Sequence, residues 1–136
     1  MATILVTGGR RYFEETRVFQ ILDAAVERLG MTLLIHGDNP DGADNIAKQW
    51  AIDRGFPKRD FPAKWDDLTQ PGADIRHHPK TGKPYDRRAG SRRNQHMLEQ
   101  GRPDVVIAFP GNVGTRDMIR RARSAGVRVI LVDWDG

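Results

Sequence analysis

The most constraining feature of this sequence is a regular alternation between short apolar runs and longer segments with helical spacing. Residues 2–7 (ATILVT) form the first apolar run, and residues 14–29 then place Val18, Leu22 and Ala25 on one helical face. Further strands are predicted at 32–36, 58–62, 104–109 and 127–132, and further helices at 43–51, 91–100 and 115–125. Strands without polar alternation are typical of parallel sheets, so we expect a mainly parallel five-stranded sheet with helices on both faces.

Length and composition limit the class of protein. The 136 residues fit one domain, 1–136, and the absence of cysteine excludes disulfides and thiolate metal sites. The start, MATILVTGG, has no basic region of a signal peptide, and no apolar run reaches membrane-spanning length. The expectation is a cytoplasmic protein that does not enter membranes.

Positive charge is concentrated in one segment. Residues 76–93 hold seven arginines and lysines against one acid, and the remainder of the chain is net negative. Such a segment attracts phosphates or a nucleic-acid backbone, although charged runs are often only solvated loops. The segment overlaps a predicted loop, 63–88, that is longer than most connections in compact domains.

Glycine-bearing loops follow the first, second and fourth predicted strands. In open parallel sheets, ligands bind beyond the carboxyl ends of the strands. Glycine lets backbone N–H groups approach a ligand, and a following helix N-terminus attracts anions. The candidate ligand-binding residues in these loops are Gly8, Gly9, Arg10, Gly37, Gly42, Pro110, Gly111, Gly114 and Thr115. The alternative is a plain strand-to-helix turn with Thr115 as the N-cap.

Standard nucleotide and metal motifs are missing. TGGRRY is not a G-x-G-x-x-G fingerprint, and there is no Gly-Lys-Ser/Thr for a P-loop. The four histidines show no metal-ligand spacing, so neither a metal nor a cofactor is expected.

Several ordered motifs resemble one family. They are VTGGRRY, IHGDNPDGADNIAKQWA, FPAKW, AGSRRNQHML and VVIAFPGNVGTRDM. From Ile4 to Val132 the chain resembles the YspA-type, cpYpsA-related branch of the SLOG superfamily, which also includes the Lonely Guy (LOG) phosphoribohydrolases and the DprA/Smf proteins. The resemblance implies a Rossmann-like α/β/α fold and a nucleotide or nucleotide-derived ligand. It implies either a sensor or an enzyme that cleaves a base from a nucleotide.

The LOG motifs carry over only in part. Pro-Gly-Gly-x-Gly-Thr-x-x-Glu resembles residues 110–118, but Asn112 replaces the second glycine and Met118 replaces the glutamate. Arg-Lys-x-x-Met resembles residues 93–97, so Arg93 fits the arginine and Asn94 replaces the lysine. The resemblance therefore implies phosphate binding by these two motifs, while the LOG acid is absent.

A carboxylate is needed if the chain cleaves an N-glycosidic bond, since it stabilises positive charge or activates water. The catalytic candidates are Asp117 and Asp44, with Arg93 as the phosphate clamp; Asp38 and Asp41 lie on the same edge. Asp44 has an equally good interpretation as a helix cap. Of the tryptophans, Trp65 is the better candidate for stacking on a base.

Two functional hypotheses follow. The first is a small-ligand protein, sensor or weak phosphoribohydrolase, whose partner is a nucleotide. The alternative is a DprA-like nucleic-acid-binding protein that uses residues 76–93 and Tyr85. A third interpretation is an interaction subunit with a vestigial site. Resemblance to LOG proteins also implies a homodimer.

Overall fold

The computed structural model describes residues 1–134. Its helices and strands, in chain order, are β1 Ala2–Thr7, α1 Glu15–Leu29, β2 Met31–His36, α2 Ala43–Arg54, β3 Lys58–Asp60, β4 Ile75–His77, β5 Pro84–Asp86, α3 Ala89–Gly101, β6 Val105–Ala108, α4 Val113–Ser124 and β7 Arg128–Leu131. Five parallel strands form the main sheet in the order β3-β2-β1-β6-β7. The predicted Rossmann-like fold is confirmed.

The sheet is buried between two helical layers. Ile4 and Val6 of β1 face a core that includes residues of α1 and α2, whereas Leu5 faces a core with residues of α3 and α4. Successive side chains of a strand point to opposite faces, so one apolar run serves both cores. Trp50 of α2 is 1% exposed and belongs to the first core.

Two helix starts differ from the prediction, and one predicted cap is absent. α3 begins at Ala89, two residues before the predicted start at Ser91, whose hydroxyl donates to the Arg88 carbonyl at 3.3 Å. α4 begins at Val113, which places Thr115 inside the first turn. α2 begins at Ala43 as predicted, but Gly42 precedes it and Asp44 is its second residue, so Asp44 is not its cap. The reason is shared: none of these helices has a side-chain cap, so cap-forming residue types did not mark their starts.

The predicted loop at 63–88 contains a two-stranded antiparallel hairpin, β4–β5. Its strands have three residues each and are mostly exposed, so they lack the apolar pattern that marks a strand. One buried carboxylate anchors the hairpin. Asp86, which is 0% exposed, accepts the backbone N–H groups of Asp74 and Arg88, each at 3.0 Å, and pairs with Arg92 of α3.

We therefore expect Asp86→Asn to release the hairpin from α3 while leaving the main sheet folded. Trypsin should then cut the basic hairpin segment at least about tenfold faster, because proteolysis follows the population of the locally open form. Asp66→Asn, an exposed change just before the hairpin, is the control and should leave the cleavage rate unchanged. Equal cleavage rates for both variants would contradict this role of Asp86.

Candidate functional site

A large cleft lies at the C-terminal ends of β1, β2 and β6 and extends to the hairpin segment. It encloses about 1290 Å³ and is lined by residues 6–12, Gly37, Asn39, Asp44, Trp65, residues 87–88, 90–91, 93–94, Met97, residues 110–115, Asp117, Arg120 and Arg121. Ligand pockets are commonly about 300–1,000 Å³, so the space is ample for a small molecule. Most of the candidates from the sequence are part of this lining, and the exceptions are Gly42 and the two acids Asp38 and Asp41.

The three glycine loops bind one another at the base of the cleft. The Gly9 N–H donates to the Pro110 carbonyl at 2.9 Å, and the Ala43 N–H donates to the Gly9 carbonyl at 3.2 Å. A Cβ at Gly42, which has φ 77°, would overlap the Gly9 carbonyl oxygen, and one at Gly111 would lie 2.7 Å from the Gly9 nitrogen. These glycines permit the loops to approach each other, which is a different role from direct approach to a ligand.

The N-terminus of α4 opens into the cleft without a cap. Asn112 makes no side-chain cap bond in the described structure, so the first N–H groups of the helix lack intrahelical partners. Gly114 lines the cleft, and a Cβ there would meet no protein atom within 4 Å. The helix dipole adds partial positive charge at the same place, and the result is a ready site for an anion.

The lining carries a strong excess of positive charge. Within residues 1–134, seven arginines border the cleft against the two carboxylates of Asp44 and Asp117. The arginines are Arg10, Arg11, Arg87, Arg88, Arg93, Arg120 and Arg121. An arginine fork matches the oxygens of phosphate and carboxylate groups. The cleft is therefore suited to an anionic ligand.

Arg93 is held by the protein itself. Its Nη1 donates to the carbonyl oxygen of Gly37 and, at 3.4 Å, to that of Phe61, and its Nε donates to the Asn94 side chain at 3.1 Å. Burial lowers the pKa of Arg93, and the nearby charge of Asp44 opposes that effect. Only Nη2 lacks a hydrogen bond within the described chain, so Arg93 has little capacity left for a ligand.

Asp117 is paired on all sides. Its carboxylate accepts from Asn94 at 3.0 Å, from Arg120 at 2.6 Å and from Arg121 at 2.9 Å. Burial acts to raise the pKa of Asp117, but these hydrogen bonds outweigh it and hold the pKa below its usual value. A carboxylate with three donors is a weak base, so the geometry favours a structural role for Asp117. Met118, at the LOG glutamate position, is buried in the core.

Asp44 is the contrasting carboxylate. It is 4% exposed, lines the cleft and accepts a long hydrogen bond, 3.4 Å, from the Asn39 N–H. Burial raises its pKa to about 6, with Arg93 as the main opposing charge. A perturbed carboxyl pKa near neutrality, in a cleft, is a common mark of a functional group. Of the other acids on this edge, Asp41 is exposed and Asp38 pairs with Lys48 at 2.9 Å.

Trp65 offers an aromatic surface at the cleft. The guanidinium of Arg10 lies over its ring, 5.5 Å from the centroid, and Tyr85 meets it edge-on at 6.3 Å. A Cβ at Gly90 would contact the indole at 3.1 Å, so the ring rests on the start of α3. Trp65 is thus well placed to stack on a flat ligand group.

Much of the charge in residues 76–93 is neutralised internally. Arg76 and Arg87 both pair with Asp74, at 2.9 and 2.7 Å, and Arg92 pairs with the buried Asp86. The charge count of the segment does not include Asp74, which lies just outside it. The field available to a nucleic-acid backbone is weaker than the local charge of the sequence indicates.

Beside the cleft, His36, Asp38 and Asp60 hold three potential metal-ligand atoms within 4.8 Å of one another. The carboxylates already pair with Lys48 and Lys58, at 2.9 Å each. Nδ1 of His36 accepts the Asp38 N–H at 3.0 Å, so the ring proton of the neutral form belongs on Nε2, 2.6 Å from Asp60. Burial lowers the His36 pKa. This proton placement suits a polar contact with Asp60 and does not suit metal ligation.

Several lining residues were not candidates from the sequence. They are Arg11, Tyr12, Asn39, Arg120 and Arg121. The side chain of Arg120 is 69% exposed even though it borders the cleft, whereas that of Arg121 is 28% exposed. The spacing of Asp117 to Arg121, four residues on a helix, was the available signal, since such a pair draws the arginine along the same face.

Comparisons with known proteins agree with the fold. The model of the YspA, cpYpsA-related SLOG family matches residues 2–67. The Gene 61 protein of Mycobacterium phage D29 is 34% identical over 132 residues, which are 96% of this chain and 95% of that protein.

Two solved structures align with the chain to different degrees. Acinetobacter baumannii MurG aligns with a TM-score of 0.56 at 11% identity, over 96% of this chain and 34% of the MurG chain, and so bears on the fold alone. CobK precorrin-6A reductase aligns at 14% identity over 100% of this chain and 89% of its own, with a TM-score of only 0.30. In the part of the chain that the structure describes, no helix has the length and apolarity to cross a bilayer.

The raised pKa of Asp44 predicts a specific pH dependence of stability. The native state keeps the Asp44 proton up to a pH of about 6, whereas the unfolded chain loses it near 3.8, so wild type loses stability as the pH rises between these values. The shift corresponds to about 3 kcal/mol. In urea unfolding, the stability of Asp44→Asn relative to wild type should therefore improve by about that amount from pH 4 to pH 7.

Asp41→Asn, an exposed change in the same loop, is the matched control and should show a nearly constant difference from wild type across this pH range. If the difference in unfolding free energy between Asp44→Asn and wild type does not change with pH, the pKa of Asp44 is not raised in the folded protein.

Proposed function

The chain belongs to the YspA, cpYpsA-related SLOG family, and from this premise we propose that its cleft binds a nucleotide or nucleotide-derived ligand with a phosphate at the N-terminus of α4. Family membership and the Rossmann-like fold support a nucleotide-related ligand-binding role in general. The more specific proposal concerns which group binds where.

The observation that carries the proposal is the uncapped first turn of α4 in an arginine-rich cleft. Backbone N–H groups from this turn meet the phosphate oxygens, and the open space at Gly114 leaves room for them. Pro110 and Gly111 hold the turn against the first loop. Thr115 is only 4% exposed and its hydroxyl lies against Gly111, so its side chain supports the turn.

Of the remaining candidates, some contact the ligand in this proposal and others hold the loops in place. Arg10 and Trp65 contact the base or sugar, since the indole ring and the guanidinium already stack in the free protein. Gly8, Gly9 and Gly42 support the loops, and a Cβ at Gly8 would lie 2.5 Å from the Cβ of Ala43. Gly37, Arg93 and Asn94 support them too: Arg93 ties α3 to the Gly37 carbonyl, and Asn94 donates to the Gly114 carbonyl at 3.2 Å.

Gly114→Asp tests the phosphate site directly. An acidic side chain in the first turn interacts favourably with the positive end of the helix dipole. The Gly114→Asp variant without ligand should therefore be as stable as wild type or slightly more stable. The same charge lies where the phosphate binds and should abolish the nucleotide-induced rise in melting temperature. At about 100 times the dissociation constant, that rise in wild type reflects roughly 2.7 kcal/mol.

Gly114→Asn is the matched control, because it has the same size without the charge. It should retain binding, weakened by bulk alone. A screen of nucleoside phosphates, ADP-ribose, NAD and a short single-stranded DNA identifies the ligand class. Full nucleotide binding by Gly114→Asp would contradict the proposal, and stabilisation by DNA alone would favour the nucleic-acid alternative.

A second candidate function is weak hydrolysis of the N-glycosidic bond, favoured by the raised pKa of Asp44. Near neutral pH this carboxylate accepts a proton from water as the water attacks the anomeric carbon, and the base leaves with the bond electrons and takes up a proton. The paired Asp117 is the poorer choice.

If the protein is a hydrolase, chromatography should detect free base released from the bound nucleotide. Asp44→Asn should reduce the rate by ~10²–10⁴-fold without a matching loss of binding. Asp117→Asn should affect the rate less than Asp44→Asn does. Binding without any released base would leave the sensor role as the function of the cleft.

A further inference from the structure

The cleft holds a second group of positive charges, one to two turns along α4 from the phosphate site. Asp117 pairs with Arg120 at 2.6 Å and with Arg121 at 2.9 Å, so one negative charge faces two positive ones. Both arginines line the cleft. The group therefore retains net positive charge that the described residues do not neutralise.

Arg121 is held in place before any ligand arrives. Its Nε donates to Asp117, and its Nη1 donates to the side-chain oxygen of Gln95 on α3 at 3.1 Å. The side chain is 28% exposed, and its Nη2 has no hydrogen-bond partner within residues 1–134. A guanidinium fixed at two nitrogens with a third available loses little conformational entropy when it binds an anion.

The spacing along α4 relates this group to the phosphate site. Arg121 follows Thr115 by six residues, which is about 9 Å along a helix axis. Long side chains on a helix lean back toward its N-terminus, so the guanidinium lies nearer to the first turn than its Cα does. A chain of two phosphates has oxygens at both ends and fits between donors at this separation.

We propose that Arg120 and Arg121, held by Asp117 and Gln95, form a second anion subsite, and that the ligand of the cleft is a nucleotide with a second phosphoryl group. This inference rests on the proposed function of the cleft. It also explains why Asp117 is fully paired, since in this arrangement Asp117 positions two arginines instead of acting on the substrate.

The test compares nucleoside monophosphates with the corresponding diphosphates of adenosine, guanosine, cytidine and uridine by isothermal titration calorimetry. For the preferred base, wild type should bind the diphosphate at least about tenfold more tightly, which is about 1.4 kcal/mol. Arg121→Gln should bring the ratio of the two affinities close to one. Arg123→Gln removes the same charge from the last turn of α4, outside the cleft, and should keep the wild-type ratio.

The ratio is the decisive measurement, because a general loss of stability or of net charge weakens both ligands. Two outcomes overturn the second subsite and leave the phosphate site of α4 intact. One is that wild type binds the monophosphate and the diphosphate equally well, and the other is that Arg121→Gln keeps the wild-type ratio of the two affinities. If no nucleotide binds at all, the proposed function fails, and this inference fails with it.

Discussion

The cleft depends on the contact between the loops that follow β1 and β6. A single backbone hydrogen bond from Gly9 to Pro110 joins them, and the start of α2 is tied to the same loop through the Gly9 carbonyl. The two strands are neighbours in the sheet, so their loops emerge side by side and the approach is short. Any side chain at Gly42 or Gly111 would force the loops apart. The first turn of α4, where we propose that an anion binds, is fixed because its preceding loop is fixed.

Arginine pairs organise the walls of the cleft. Asp74, Asp86 and Asp117 each pair with at least one arginine, and together they hold the hairpin, α3 and α4 in place. Such pairs contribute little at the surface, but a carboxylate that bridges two segments fixes their relative position. Asp44 differs, because it is buried in the cleft wall with no cation within ion-pair distance in the described structure. The contrast separates the acids that shape the cleft from Asp44, the acid for which we propose a chemical role.

The fold and the position of the cleft could be predicted from the sequence because both follow local rules. Apolar runs marked the main strands, and glycine loops after them marked the edge of the sheet where the cleft lies. The hairpin could not be predicted, since its stability comes from the buried Asp86 and not from an apolar pattern. Arg93 was expected to bind phosphate, yet contacts with Gly37 and Phe61, distant in sequence, occupy most of its donors. The pair of Arg121 with Asp117 follows from their spacing of four on one helix, whereas the contact of Arg121 with Gln95 of α3 is tertiary and could not be read from the sequence.

The arginines of the cleft and the carboxylate of Asp44 would respond to an anionic ligand in opposite ways. The excess of arginines in the cleft wall is unfavourable because the like charges repel one another, and the proposed phosphate would relieve that repulsion. The same phosphate would bring negative charge toward Asp44, whose carboxylate is already disfavoured by burial. Nearby negative charge raises a carboxyl pKa further, so the bound state favours protonated Asp44 more than the free state does. If the proposed phosphate binds, its binding and the protonation of Asp44 are coupled, and this coupling opposes the use of Asp44 as a proton acceptor near neutral pH. A second phosphate at Arg120 and Arg121, as proposed, would lie next to cations.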